Sequence, residues 1–358
     1  MKIKKIISIL LTSIMLILQG CLESNVIPEF NGSMDNASQM LTYFESQGDF
    51  FNSMDCPALI EADEVNSNLQ NYLILDVRDS ASFRSGHING AISILPRDLW
   101  AYFKQNNMDK YSKVVLVSKT GQSSSYYVTL LRLYGLSNIY SLNFGMASWN
   151  DDFAAAWKDH LKNSVLMRSY TNEVTNMNSM TSLPLVSFRT KSKNIKDKVE
   201  ERISDLLLQG FNEDLPTVNY SDSGPVITED QLFNEDYLSN YYLICYGSAN
   251  LYMALGRYNP YSGLGHPKGA VLYDPHSSLK SNNYLQTLPT NKKIAIYCYN
   301  GQYSASAAAY LRLLGYDAKS MLFGAYVLFY DRLEYDAMLS KFLFRKDLSN
   351  NFPYVTGN

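Results

Sequence analysis

Cysteine and histidine are scarce in this 358-residue sequence, with four of each at wide spacings. Cys21, Cys56, Cys245 and Cys298 make neither a dense disulfide framework nor a zinc-binding pattern, and His87, His160, His266 and His276 lack metal-ligand spacing. No metal and no cofactor are expected. Basic runs are missing too. With 31 Lys and Arg against 34 Asp and Glu, the net charge is −3, which argues against nucleic acid as a partner. Long apolar runs are limited to residues 6–18, and no later run is long enough to span a bilayer.

That one run has a lysine-rich start (Lys2, Lys4, Lys5), and residues 1–20 read as an export signal. Leu18-Gln19-Gly20-Cys21 resembles the lipobox of bacterial lipoproteins, which makes Cys21 the expected lipidation site and first mature residue. An uncleaved anchor and an ordinary secretory signal are the alternatives. Several acyl chains on one cysteine give stable attachment. Leu22, where an aspartate would favour retention, points to the outer membrane facing the periplasm if the cell is Gram-negative. Residues 21–36 read as a flexible tether.

What remains is long enough for about two domains, and it is a duplication. Val114-Val115-Leu116-Val117-Ser118-Lys119-Thr120-Gly121-Gln122-Ser123 parallels Ile294-Ala295-Ile296-Tyr297-Cys298-Tyr299-Asn300-Gly301-Gln302-Tyr303-Ser304. Each loop glycine is followed fourteen positions on by another, Gly121 by Gly135 and Gly301 by Gly315, after an L-R-L-x-G helix end. Upstream, G-H-I-N-G-A at 86–91 matches G-H-P-K-G-A at 265–270.

Strands expected at residues 72–78, 91–94, 114–117 and 138–142, with short helices between them, imply βαβ units and a mostly parallel sheet. A helix at 39–47, with Met40, Leu41 and Phe44 on one face, precedes them. In the second half, helical spacing of Ile195, Val199, Ile203, Leu206 and Leu207 precedes Gly210, repeating that arrangement. Strands follow at 224–229 and 242–245, and a helix at 305–314. The loop after Cys245 is enlarged by ten residues and carries Tyr252, Arg257, Tyr258 and Tyr261. Two domains, 37–160 and 195–345, are therefore expected, with 161–194 as linker.

Cys298 ends an apolar strand, where open α/β sheets bind ligands. A glycine turn and a helix start would aim N–H groups at its sulfur and favour the thiolate. Ser118 holds the matching place in the first half, and its hydroxyl has no adjacent base in the sequence to activate it.

Both halves resemble rhodanese (sulfurtransferase) domains. The resemblance rests on Asp76-Val77-Arg78, Phe83 and the glycine–histidine motif, the Asn143-Phe144-Gly145-Met146-Ala147-Ser148-Trp149 run, and C-Y-N-G-Q-Y-S at 298–304. It covers about two-thirds of the chain. It implies two domains, each a small mostly parallel five-stranded sheet flanked by helices. It also implies that Cys298 takes a sulfane sulfur as a persulfide, cradled by the amides of Tyr299, Asn300, Gly301, Gln302, Tyr303 and Ser304. The loop Ser118, Lys119, Thr120, Gly121, Gln122, Ser123 would then be a degenerate, supporting copy. The sulfur donor and acceptor are not specified by these residues.

Three departures stand out. Tyr303 and Ser123 occupy a loop position often held by arginine, so an anion is left to backbone donors. Cys245 and Gly247 stand where Asp76 and Arg78 stand in the first half, removing a charged pair. Ser304 occupies the position at which a phosphatase of related fold needs arginine, which excludes that chemistry. Two further readings follow: a rhodanese-like module that binds a protein partner, and thiol redox chemistry with Cys245 resolving a persulfide or sulfenate on Cys298. His87 and His266 read as turn-stabilising groups, His160 and His276 as surface residues, and Tyr297, Tyr299 and Tyr303 as a possible aromatic pocket.

Overall fold

The computed structural model describes residues 35–161, 163–164, 170–214, 224–233, 236–253, 265–345 and 348–357. The expected export signal, Cys21, nearly all of the tether, and Arg257, Tyr258 and Tyr261 lie outside them. Among the described residues no helix is long and apolar enough to cross a membrane.

The first half folds around strands β1 (Leu59–Ile60), β2 (Tyr72–Asp76), β3 (Ile92–Ser93), β4 (Lys113–Val117) and β5 (Ile139–Leu142), in the order β1-β5-β4-β2-β3. All pairs are parallel. Val114, Val115, Leu116 and Val117 of β4 are fully buried, as a central parallel strand covered on both faces requires. β6 (Tyr170–Thr171) leaves this half and later pairs antiparallel with β9 (His266–Pro267). The second sheet repeats the plan with β7 (Val226–Ile227), β8 (Tyr241–Tyr246), β10 (Val271–Tyr273), β11 (Lys293–Tyr297) and β12 (Ala318–Met321), in the all-parallel order β10-β8-β11-β12-β7.

Four helices knit the halves together: α1 (Asn36–Ser46), α2 (Gln122–Tyr134), α3 (Ile195–Gln209) and α4 (Gln302–Leu313). α2 and α4 follow the two loops and pack against each other at the centre of the molecule. Each is buried almost all round. The polar residues of α2 tolerate this because they bond back along the helix: Ser125 Oγ donates to the Gly121 carbonyl (2.7 Å) and Thr129 Oγ1 to that of Ser125 (2.8 Å). α4 presents Ala305, Ala307, Ala308 and Ala309, small enough for close approach.

The leading segments are exchanged. α1 precedes the first sheet, yet Phe51 just after it stacks on Tyr310 (centroids 4.1 Å apart) and Tyr246 (5.9 Å) of the second half. α3 precedes the second sheet, yet Phe211 after it meets Tyr126 (5.3 Å), and its N–H donates to the Tyr127 hydroxyl (2.7 Å) of the first half. The expected linker is a belt over its described part. Thr181 N–H donates to the Gln286 carbonyl (2.7 Å), and Leu183 and Val186 are buried. Residues 348–357 return to the first half, where Phe352 N–H bonds the Trp149 carbonyl (2.9 Å) and Val355 bridges His87.

Candidate active site

Cys298 lies one residue past β11, as its strand pattern demanded. The helix behind it starts at Gln302, three residues earlier than expected, so the cradle is a short turn plus the first turn of α4. Gly301 makes that turn at φ 91°, a left-handed conformation that favours glycine, and a Cβ there would collide with the Gln122 carboxamide. Its N–H points at Cys298 Sγ (3.1 Å), and the thiol donates to the Ser304 hydroxyl (3.4 Å). Ser304 Oγ is tied in turn to Ser320 Oγ (2.8 Å).

The cysteine is fully buried. Burial pushes its thiol above the ordinary value, against the opposing pull of the Ser304 hydroxyl and the amides of Ser304, Asn300 and Gly301. The cover is aromatic. Tyr299 stacks on Phe342 at 3.8 Å, and Tyr303 meets both edge-on at 5.7 and 5.8 Å. Tyr299 is fixed by the Ser248 N–H (2.9 Å), and Asn300 Nδ2 donates to the Phe342 carbonyl (2.8 Å). Outside this cover lies a cleft of about 620 Å³, whose lining includes Met54, Phe144, His276, Tyr299, Tyr303 and Phe342. An aromatic surround therefore exists, built from Tyr299 and Tyr303. Tyr297 belongs elsewhere, beside the Cys245 thiol.

The loop of the first half has the same backbone, with Gly121 at φ 83° and its N–H donating to Ser118 Oγ (3.0 Å). One sequence expectation fails here. A base does stand beside Ser118: its hydroxyl donates to Glu213 Oε1 (2.7 Å). The same carboxylate accepts the N–H groups of Ser123 (2.5 Å) and Thr120 (2.9 Å), and it is buried. Glu213 fills the cradle as an anion would. Nearby, Lys119 pairs with Asp214 (2.5 Å).

The two loops are joined crosswise. Gln302 Oε1 accepts from Phe144 N–H (3.1 Å), while Gln122 Oε1 accepts from Phe323 N–H (2.9 Å). Each glutamine opens its helix beside one cradle and completes the backbone bonding of the other half. The missing charge of the second half is also replaced. In the first, Arg78 pairs with Asp76 (2.6 Å) and donates to the Gly86 carbonyl (2.7 Å). In the second, Arg332 arrives from the helix Tyr330–Tyr335 and donates to the matching carbonyl of Gly265 and to that of Leu251. So the second half lost the local pair but kept a buried guanidinium at the equivalent carbonyl.

Two parallel five-stranded sheets, each ending in a glycine turn that aims a backbone N–H at a Ser or Cys side chain, match one known family twice. The sequence fits the rhodanese-like domain over residues 61–152 and 256–331. A thiosulfate sulfurtransferase, GlpE of Shewanella oneidensis, is 35% identical over 78 residues, which are 22% of this chain and 75% of that protein. The chain belongs to the rhodanese family. Escherichia coli YibN, an uncharacterized protein, is 29% identical over 23% of this chain and 58% of its own length. Among solved structures, a rhodanese-related protein from Thermoplasma volcanium is 30% identical, covering 26% of this chain and 89% of its own, with a TM-score of 0.24. A thiosulfate sulfurtransferase from Pseudomonas aeruginosa is 14% identical over 81% of this chain and 46% of its own, with a TM-score of 0.29.

Within this rhodanese pair, Cys56, Cys245 and Cys298 are all free and buried. β8 does neighbour β11, but the register sets Cys245 opposite Tyr297 and not opposite Cys298. Burial pushes the Cys245 thiol up to about 12. His87 is the turn-stabilising group expected, its Nδ1 2.9 Å from the Phe83 carbonyl and its ring stacked on Phe83. His266 instead lies buried and flat against Tyr252 (3.5 Å). His160 stacks on Phe323 (4.1 Å), and His276 is half-buried in the cleft, so neither is a plain surface residue. Among the described residues no cluster of His, Cys, Asp and Glu could hold a metal.

Phe342, Ser248, Glu213 and Arg332 were invisible to sequence reasoning. Each reaches its site from a remote segment without a motif.

Proposed function

We propose that this rhodanese-family protein is an envelope-anchored sulfurtransferase or persulfide carrier that accepts sulfane sulfur on Cys298. The observation that carries the reading is the Cys298 sulfur at the strand end, facing the Gly301 N–H across 3.1 Å. Ser118, its counterpart, cannot hold a persulfide. With thiosulfate as donor, the Cys298 thiolate attacks the sulfane sulfur, the S–S bond of thiosulfate breaks, and sulfite leaves with the electron pair. An acceptor thiolate then attacks the outer sulfur of the Cys298 persulfide, releasing the Cys298 thiolate. The Gly301 N–H at Cys298 Sγ and the start of α4 behind it supply the positive dipoles that would stabilise the persulfide anion formed in the first step. Lipidation at Cys21 would hold the domains at the membrane surface within reach of small sulfur donors and partner proteins.

Burial of Cys298 favours a second reading, in which the cleft of Tyr299, Tyr303 and Phe342 binds a protein partner and no sulfur moves. Intact mass after a brief thiosulfate or polysulfide challenge separates the two. The carrier reading expects a gain of one sulfur in the wild type and in Cys245→Ser, absent in Cys298→Ser. A folded, reduced protein that takes up no sulfur from either donor would leave the binding reading in its place. A wild type that keeps no extra sulfur and instead forms a Cys245–Cys298 disulfide with release of hydrosulfide, with the adduct retained in Cys245→Ser, would point to the redox reading.

A further inference from the structure

The two exchanged arms carry a short repeat of their own. Phe51-Asn52-Ser53-Met54 follows Gly48 in the first, and Phe211-Asn212-Glu213-Asp214 follows Gly210 in the second. Both phenylalanines are buried in the opposite half, and each arm then passes over that half's cradle. Over Cys298 the arm brings neutral residues, and Met54 lines the open cleft. Over Ser118 it brings two carboxylates, one of which enters.

Three donors converge on that one carboxylate: the Ser118 hydroxyl and the N–H groups of Thr120 and Ser123. Both oxygens are bound, the group is buried, and the amides lie at the start of the thirteen-residue α2. A loop with a decayed nucleophile has no need of such donors for packing alone, since a buried carboxylate is costly unless every bond is made. The geometry is that of an anion site with its anion in place.

We propose that the first cradle is an oxyanion-binding site held shut by the chain's own Glu213, and that a small oxyanion of the sulfate or thiosulfate class takes the place of this carboxylate when it is removed. As an internal ligand, Glu213 also fixes the arm and, through it, α3. Its effective concentration at the cradle exceeds that of any free anion at ordinary levels, because the arm is already anchored by Phe211. The inference is independent of sulfur chemistry at Cys298.

The test compares thermal unfolding of the full chain as wild type, Glu213→Ala, Glu213→Gln and Asp214→Asn, in sulfate, thiosulfate or chloride at matched ionic strength. Glu213→Ala should lose stability in chloride and recover in sulfate and thiosulfate, saturably, by about 5 °C in Tm. Wild type and Asp214→Asn, which loses only an exposed pair with Lys119, should respond equally little to each anion. Should Glu213→Ala fold only in sulfate, that rescue supports the site as well. Should it fold in no anion, the neutral isostere Glu213→Gln decides: a sulfate-specific gain above wild type supports the site, and its absence overturns it. Equal responses of wild type and Glu213→Ala overturn it too.

Discussion

At Cys298 two effects oppose each other. The N–H groups at the start of α4 favour the thiolate, while complete burial under Tyr299, Tyr303 and Phe342 favours the thiol, and burial wins. The reactive form is therefore scarce at neutral pH and grows as pH rises. The same shift means that the native state holds the neutral thiol. Its contribution to stability is present below the ordinary thiol range and is lost as pH climbs through the raised folded value. Alkylation of Cys298 by iodoacetamide, followed by peptide mass, should accordingly be slow at pH 7 and faster with increasing pH. Phe342→Ala removes the stacked lid and should speed alkylation about tenfold at pH 7, because exposing the sulfur relieves the burial that holds the thiol up. An unchanged rate would show that Phe342 does not control access. The paired loops around Ser118 and Cys298 were legible in the sequence because they are contiguous. Glu213 was not: it lies 95 residues from Ser118, and no local pattern records which carboxylate enters a cradle.

Elements built from local periodicity came out close to expectation. β4 and β11 are short, largely apolar runs that end just before Ser118 and Cys298, and α3 buries Val199, Ile203, Leu206 and Leu207 on one face as its spacing requires. The start of α4 moved to Gln302 because Gly301 supplies a left-handed cap, so the helix takes in residues that read as loop. The helix Tyr330–Tyr335 contributes what no pattern announced, a buried guanidinium bonded to carbonyls of two other segments. The two carbonyls are met by different nitrogens of the planar fork, a spacing that the single nitrogen of a shorter lysine does not reproduce. Arg332→Lys should thus destabilise the protein by about 2 kcal/mol, by leaving a buried carbonyl unsatisfied. Denaturant midpoints measure this, and a midpoint equal to wild type would argue that the guanidinium's fork is dispensable.

The whole molecule is tied by exchange: Phe51 inserts into the second half, Phe211 into the first, and α2 and α4 share a buried seam. The halves should therefore unfold together. Calorimetry of the full chain is expected to show one transition, and Phe51→Ala should lower its stability by about 3–5 kcal/mol without splitting it. Two resolved transitions in the wild type would refute this coupling. Residues 348–357, bonded back to Trp149 and His87, strengthen the expectation.

Duplication, the parallel sheets, the strand-end cysteine and its serine counterpart are all properties of contiguous residues, and the sequence by itself determined them, since hydrogen bonding and hydrophobic period act over a few positions. Which arm crosses to which half, what covers Cys298, and which anion occupies the first cradle were decided only by tertiary structure. Those outcomes depend on groups brought together across scores of residues, where packing and burial choose among partners that the chain leaves equal.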